Sequence, residues 1–265
     1  MQKKILFTGA SGALGRAIAP RLAARGHALL LSDIAIYPDA LPQNAEFRML
    51  DLNDRAGVLA LAPQVSGILH FGAVSTEQAF EDILAANIRG IHHIFELARA
   101  AESRVIFASS NHTIGFHERG ETLDVDCEMR PDGFYGLSKA YGELLGKMYW
   151  YKHGVESLSL RIGTSIEKPL EPRHLSTWLS FDDLTQMLEA GLKAPSLGCR
   201  VIWGVSNNDR SWWKSEDADL GITRHDNAED FAKSLARPEP DDPISRKYQG
   251  GPFCSIHYSR KEPAP

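Results

Sequence analysis

Apolar residues in this chain fall in short, nearly unbroken runs, separated by longer stretches with helical spacing. Ile5 to Thr8, Ala28 to Leu31, Phe47 to Leu50, Gly67 to Phe71, Arg104 to Ala108 and Glu156 to Arg161 read as strands, and 14–25, 76–101 and 134–153 read as helices. Runs without apolar–polar alternation belong to strands covered on both faces. The pattern therefore predicts an α/β fold, a doubly wound parallel sheet with helices on both faces. Asp33, Asp51 and Ser109-Ser110-Asn111 all follow the C-terminal ends of predicted strands, which is where open α/β sheets bind ligands. Past residue 165 the alternation fades among prolines and tryptophans. Residues 165–265 are expected to form a small substrate-facing part woven onto a single domain spanning 1–265.

Composition narrows the function classes. At 265 residues with 43% hydrophobic and 24% charged residues, the chain reads as an ordinary soluble globular protein. A net charge of −5 offers no basic footprint for nucleic acid or an anionic membrane. No apolar run approaches the roughly 20 residues of a membrane span. Cys127, Cys199 and Cys254 are widely spaced and form no C-x-x-C pair, so neither a disulfide framework nor a metal site is expected. With a strand starting directly after Met1-Gln-Lys-Lys4 there is no room for a signal peptide, and the chain reads as cytoplasmic. The tail from Arg260 to Pro265 is expected to fray.

The chemistry begins at Gly9-Ala-Ser-Gly12-Ala-Leu-Gly15, between the first strand and the first helix. Glycines there let the backbone approach a pyrophosphate, and the helix N-terminus offers free N–H donors. Asp33 closes the second strand 18 residues after Gly15, where a carboxylate accepts bonds from an adenosine ribose diol. It repels a 2′-phosphate, and no arginine directly follows it, which favours NAD over NADP. Asp51-Leu52 would flank the adenine, and Phe71-Gly72-Ala73 would pass close to the ribose. Tyr135 and Lys139 lie one helical turn apart on one face, so a lysine ammonium there favours the phenolate of a residue whose ordinary pKa is near 10. Such a pair alone is commonly just part of an amphipathic helix; following a dinucleotide-binding start, it points to proton transfer.

Taken together, Thr8-Gly9-Ala-Ser-Gly12-x-x-Gly15, Asp33, Asp51-Leu52, Asn87, Ser109-Ser110 and Tyr135-x-x-x-Lys139 resemble the extended short-chain dehydrogenase/reductase family over about residues 3–165. The resemblance implies a Rossmann-type fold and a catalytic set in which Tyr135 is the acid/base, Lys139 binds the nicotinamide ribose and lowers the tyrosine pKa, and Ser110 orients the reacting oxygen. It implies NAD contacts from Gly9, Ser11, Gly12, Ala13, Leu14, Gly15, Asp33, Asp51, Leu52, Phe71, Gly72, Ala73, Asn87, Tyr135, Lys139 and Ile162. Asn87 reads otherwise as a structural amide.

Ser110-Asn111-His112, Arg161 to Ser165, Pro172 to Ser180, Trp203 to Trp213 and Tyr248 to Cys254 resemble members of that family acting on free sugar acids, which extends the likeness over nearly the whole chain. This implies NAD-dependent oxidation of cyclic galacturonate or glucuronate at the anomeric carbon to an aldaric acid lactone. Ser75, Ser110, Asn111, His112, Tyr135, Ser165 and Arg173 would contact the sugar acid, Arg173 pairing with its carboxylate. His112 would donate to sugar hydroxyls or satisfy its loop. Ile166-Glu-Lys168 departs from the family's aromatic and proline, so the sugar-side loop is expected to differ in shape. Trp212 and Trp213 read as packing residues. Two alternatives share these motifs: a nucleotide-sugar epimerase or dehydratase, and a non-catalytic NAD-binding sensor. Relatives also suggest a homo-oligomer formed through the helices at 76–101 and 134–153.

Overall fold

The computed structural model describes residues 3–261; residues 1–2 and, in the tail expected to fray, 262–265 lie outside the described residues. In chain order the main elements are β1 (Lys4–Thr8), α1 (Ala13–Ala24), β2 (Leu29–Asp33), β3 (Ala45–Met49), α2 (Arg55–Leu59), β4 (Val65–His70), α3 (Phe80–Ile83), α4 (Ile91–Ala101) and β5 (Val105–Ser110). They continue with α5 (Phe134–His153), β6 (Ser157–Ile162), α6 (His174–Thr177), α7 (Phe181–Lys193), β7 (Cys199–Gly204) and α8 (Pro243–Lys247). The strands form one sheet of seven in the order β3-β2-β1-β4-β5-β6-β7, with every pairing parallel. The chain order reverses between β1 and β4, and the crevice over their C-terminal ends is the place such a sheet offers a ligand.

Period-two side chains on the strands build a core on each face. Phe7, Leu31, Ile106, Leu158 and Leu160 point toward Ile18 and Leu22 of α1 and Leu184 and Leu188 of α7. Leu6, Leu30, Ile68, Val105 and Phe107 point toward Ile91 and Phe95 of α4 and Leu145 and Tyr149 of α5. Each such side chain, fully buried, contributes about 1.5–3 kcal/mol of transfer free energy. The unbroken apolar runs are the sequence trace of these two opposed layers.

Several boundaries differ from expectation. The helix expected over 76–101 starts at Phe80 and is interrupted at Leu84–Gly90 by a wide π-helical stretch. Ser109 and Ser110 lie within β5, paired with Arg161 and Ile162, and do not follow its end. The larger difference is beyond residue 165, where β7 completes the sheet and α7 covers α1, so this segment supplies part of the main layers as well as the substrate side. Strand β7 escaped notice because only its last half, Ile202 to Gly204, is buried. A signal for α7 was available: Ser180 caps it by accepting from the Asp183 N–H at 3.0 Å, with Asp182 and Asp183 in the first turn. No helix among the described residues is long and apolar enough to cross a membrane.

Candidate active site

A cavity of about 830 Å³ runs over the C-terminal ends of the strands, from the glycine turn to the start of α5. Gly9 sits at φ +73°, and a Cβ there would come within 2.6 Å of the Phe71 backbone; one on Gly15 would come within 2.4 Å of the Gly9 and Ala10 carbonyls. These two glycines are required by the turn itself. Gly12 differs: a Cβ there would meet only the Gly9 carbonyl, at 3.3 Å, so its bareness serves the open space in front of it. Helix α1 begins at this residue with no side-chain cap and no acidic residue in its first turn. Its N–H groups therefore face the cavity unused, as a pyrophosphate needs. Ser11, Ala13 and Leu14 complete this wall.

At the far edge Asp33 accepts the Ser11 N–H at 3.0 Å and the Ala35 N–H at 3.1 Å, which fixes its carboxylate at the end of β2. Ile34 beside it is exposed and apolar. Asp51 is oriented by the Asn53 backbone and side-chain N–H groups, and Leu52, Phe71, Gly72 and Ala73 line the floor. Unused helix donors and an anchored ribose carboxylate fit an NAD with its pyrophosphate on α1 and its adenosine at Asp33.

Helix α5 carries the candidate reactive residues Tyr135 and Lys139, and its placement rests on contacts that local sequence does not announce. A Cβ on Gly136 would lie 2.2 Å from the His112 carbonyl, so this glycine inside the Tyr135–Lys139 motif lets the segment after β5 pack against the helix. Ser110 and His112 thereby reach Tyr135. The N-terminus of α5 has no cap of its own; Glu77, from the loop that follows Ser75, accepts the Phe134 and Tyr135 N–H groups at 2.8 and 2.9 Å. One turn along, Ser138 accepts from Asn87 at 2.9 Å and donates to the Tyr135 carbonyl at 2.7 Å. Further along still, buried Glu143 binds Arg161 at 2.8 Å and accepts from Ser109 at 2.5 Å, tying α5 to the ends of β5 and β6.

At the reactive end the Tyr135 phenol hydrogen-bonds Ser110, which holds its pKa down, but burial dominates and pushes it up to about 12. Lys139 donates to the Ala108 carbonyl at 2.7 Å with its Nζ 5.6 Å from the Tyr135 ring centre. Burial pushes this lysine down to about 7. Burial thus drives both groups toward neutrality, and Lys139 is not among the groups that lower Tyr135.

Of the residues expected on the substrate side, Ser75, Ser110, His112, Tyr135 and Ser165 line the cavity, as does Ile162 on the cofactor side. The buried Ser165 hydroxyl has no partner among the described residues. Asn87, Asn111 and Arg173 do not line it. The Asn87 amide is consumed by Val74, whose N–H it accepts and whose carbonyl it binds, and by Ser138, so it acts as a clamp within the π-helical stretch. Asn111 donates to the Ile162 carbonyl at 3.1 Å and accepts from Arg173 at 2.9 Å. Arg173, only 7% exposed, also donates to the Gln249 carbonyl at 2.8 Å and to Thr164, which sits between two residues of the cavity wall. Arg173 makes no direct ion pair among the described residues, and burial pushes its pKa down to about 10, with Glu171 and Asp132 acting against the fall from farther off.

Sequence reasoning missed Glu77, Asp132, Gln249 and Phe253. Asp132 precedes a helix and reads as its cap, yet its side chain turns to His112 at 2.6 Å. Fully buried Gln249 accepts from Trp213, whose ring stacks on Trp203 at 4.8 Å, and donates to two carbonyls at residues 118 and 121. Trp213 is a packing residue, as expected. No group of His, Cys, Asp and Glu able to hold a metal ion occurs among the described residues.

An uncapped helix at a glycine turn, a carboxylate anchored at the end of β2 and a Ser–Tyr–Lys set around one cavity define a dinucleotide-dependent oxidoreductase of the α/β class. The profile described as the NAD dependent epimerase/dehydratase family matches residues 5–223, and the chain belongs to that family. A uronate dehydrogenase of Pseudomonas syringae pv. tomato is 47% identical over 95% of this chain and 93% of its own length. A tyrosine-to-alanine variant of the uronate dehydrogenase from Agrobacterium tumefaciens, solved in complex with NAD, superposes with a TM-score of 0.90 at 43% identity, over 96% of this chain and 97% of that one. The glucuronic acid dehydrogenase from Chromohalobacter salexigens gives 0.89 at 40% identity over 96% and 97%. The chain is an NAD-dependent dehydrogenase.

Proposed function

We propose that this enzyme oxidises the cyclic form of a hexuronic acid, galacturonate or glucuronate, at its anomeric carbon, giving the aldaric acid lactone and NADH. The observation that carries the acid specificity is Arg173, a buried guanidinium without a carboxylate partner beside the cavity wall. Glu171 and Asp132 act on that charge only from a distance, and a ligand carboxylate in direct contact would stabilise it further. Two uronate-acting relatives at 40–47% identity support the same reading.

The glycine turn and α1 would hold the pyrophosphate, Asp33 the adenosine ribose and Lys139 the nicotinamide ribose. Bound oxidised NAD supplies a hydride acceptor and a positive ring. Ser110 holds the anomeric hydroxyl, Tyr135 as phenolate takes its proton, and the carbon loses its hydrogen as hydride while the ring oxygen stays in place, which makes the product a lactone. Because burial and the nearby Asp132 hold Tyr135 near 12 against the Ser110 hydrogen bond, its ionisation depends on the positive charge assembled around it, with Lys139 as ammonium. Ser75, His112 and Ser165 meet the sugar hydroxyls, with Asn111 holding Arg173 in place. The free thiols of Cys127, Cys199 and Cys254 support a cytoplasmic location. An exposed apolar stripe of Phe134, Leu137, Leu144, Met148 and Tyr151 on α5 supports a homo-oligomer.

The test is NADH formation with galacturonate, glucuronate, galactose and glucose. Turnover of the two acids with little turnover of the neutral sugars is expected. Comparable turnover of galactose and galacturonate would overturn the acid specificity, and activity on nucleotide sugars alone would establish an epimerase-type reaction instead.

A further inference from the structure

Asp132 is the most confined carboxylate near the site. Its side chain is fully buried, and Cβ atoms placed on Gly115, Gly250 and Gly136 would fall 2.0, 2.1 and 3.1 Å from its oxygens. Three bare backbone positions thus make room for one carboxylate. Its Oδ2 lies 2.6 Å from His112 Nδ1 and 3.8 Å from the Cys254 thiol, and its buried Oδ1 has no partner among the described residues. The His112 ring is held from a second side by Phe253, stacked at 3.9 Å between centres with 22° between planes. Tyr135 stands edge-on to it at 5.7 Å. His112 lines the cavity, and its Nε2 has no partner among the described residues.

We propose that Asp132 is a positioning residue that holds His112 as the Nδ1–H tautomer, so that Nε2 meets a sugar hydroxyl as a hydrogen-bond acceptor. A carboxylate accepts only, so the proton of this bond sits on Nδ1 and the lone pair of a neutral ring is left on Nε2. The sugar is then read by opposite chemistries: the Arg173 cation for its carboxylate and an acceptor at His112 for a hydroxyl. That fixes which way round the ring lies over Tyr135. The assignment rests on the uronate reading above.

Nitrogen NMR of histidine-labelled wild-type protein at neutral pH, with His112 identified from a His112→Gln sample, reads the tautomer without substrate. One protonated nitrogen, Nδ1, is expected; protonation of both nitrogens, or of Nε2 alone, would overturn the proposal. In Asp132→Asn the amide can turn its NH₂ toward Nδ1 and invert the tautomer. The KM for the uronate should then rise about ten- to a hundredfold, with the KM for NAD unchanged. An equal loss for both ligands would reduce Asp132 to a folding role and sink the inference. If that variant does not fold, the wild-type tautomer alone decides. A wild-type enzyme that oxidises no uronate would refute the proposed function and leave the tautomer readable.

Discussion

A guanidinium removed from water loses hydration that neutral acceptors replace only in part. Arg173 makes that exchange with the Gln249 carbonyl, Thr164 and Asn111, while its pKa drops to about 10. Nothing local in Glu171-Pro-Arg-His174 announces this, since an arginine after a proline in a polar loop reads as a solvated charge. Its burial is imposed by the segment around Gln249, 76 positions away. Arg173→Ala is expected to raise the KM for the uronate about ten- to a hundredfold, the range for a lost charge-assisted hydrogen bond, and to leave the KM for NAD unchanged. Steady-state kinetics with each substrate varied in turn would show this, and equal effects on both would argue against the carboxylate role. The cofactor residues were more legible. Gly9, Gly15 and Asp33 act through backbone geometry and a strand end, both of which are written locally. Asn87 was readable only as a residue type: that its amide serves Val74 and Ser138 follows from the wide turn of Leu84–Gly90, which no periodicity foretold.

Helix α5 is held in register by partners from four distant segments: Glu77 at its first turn, His112 at Gly136, Asn87 at Ser138, and Arg161 with Ser109 at Glu143. Its helical character was plain in the sequence, as were β1, β2 and β4 to β6, because amphipathic or unbroken apolar patterns survive whatever the tertiary surroundings. Its alignment over the cavity was not, because that depends on polar contacts between residues far apart in sequence. Glu77→Ala leaves the first N–H groups of α5 without an acceptor. A loss of about 1 kcal/mol of stability is expected, visible as a lower denaturant midpoint, together with a fall in kcat, since the freed turn carries Tyr135 itself. Unchanged kcat with lowered stability would mean that the cap serves the fold alone. Glu143→Gln strikes deeper, because it leaves Arg161 buried without its charge partner; a loss of about 3–5 kcal/mol is expected, measured by the same denaturation.

At the scale of the molecule, buried histidines set the acid limit of the fold. His70, which hydrogen-bonds Thr8 at 2.8 Å between β4 and β1, is pushed down to about 3 by burial and the nearby Lys139. His174 is pushed down to about 4, chiefly by burial. Both are lowered from 6.5, so the unfolded chain binds more protons than the folded one below that value. The stability they contribute is complete above about pH 6.5 and is lost as the pH falls toward 4 and then 3. The melting temperature should therefore fall across that window, and His70→Gln should flatten the fall; an unchanged slope in the variant would remove His70 from the account. The class of fold, the sheet and the cofactor end were legible from the pattern of runs and from the glycine turn. The proposed substrate end is suggested only through likeness, because its candidate residues Arg173, Gln249, Phe253 and Asp132 meet only after β7 and the segments around it have wrapped onto the sheet. The central claim is that the proton of the anomeric hydroxyl leaves through Tyr135, and Tyr135→Phe tests it most directly, by NADH formation from a uronate alongside a fluorescence titration of NAD. The account predicts a fall in kcat of about two to four orders of magnitude with NAD affinity retained. Turnover at the wild-type rate would contradict it.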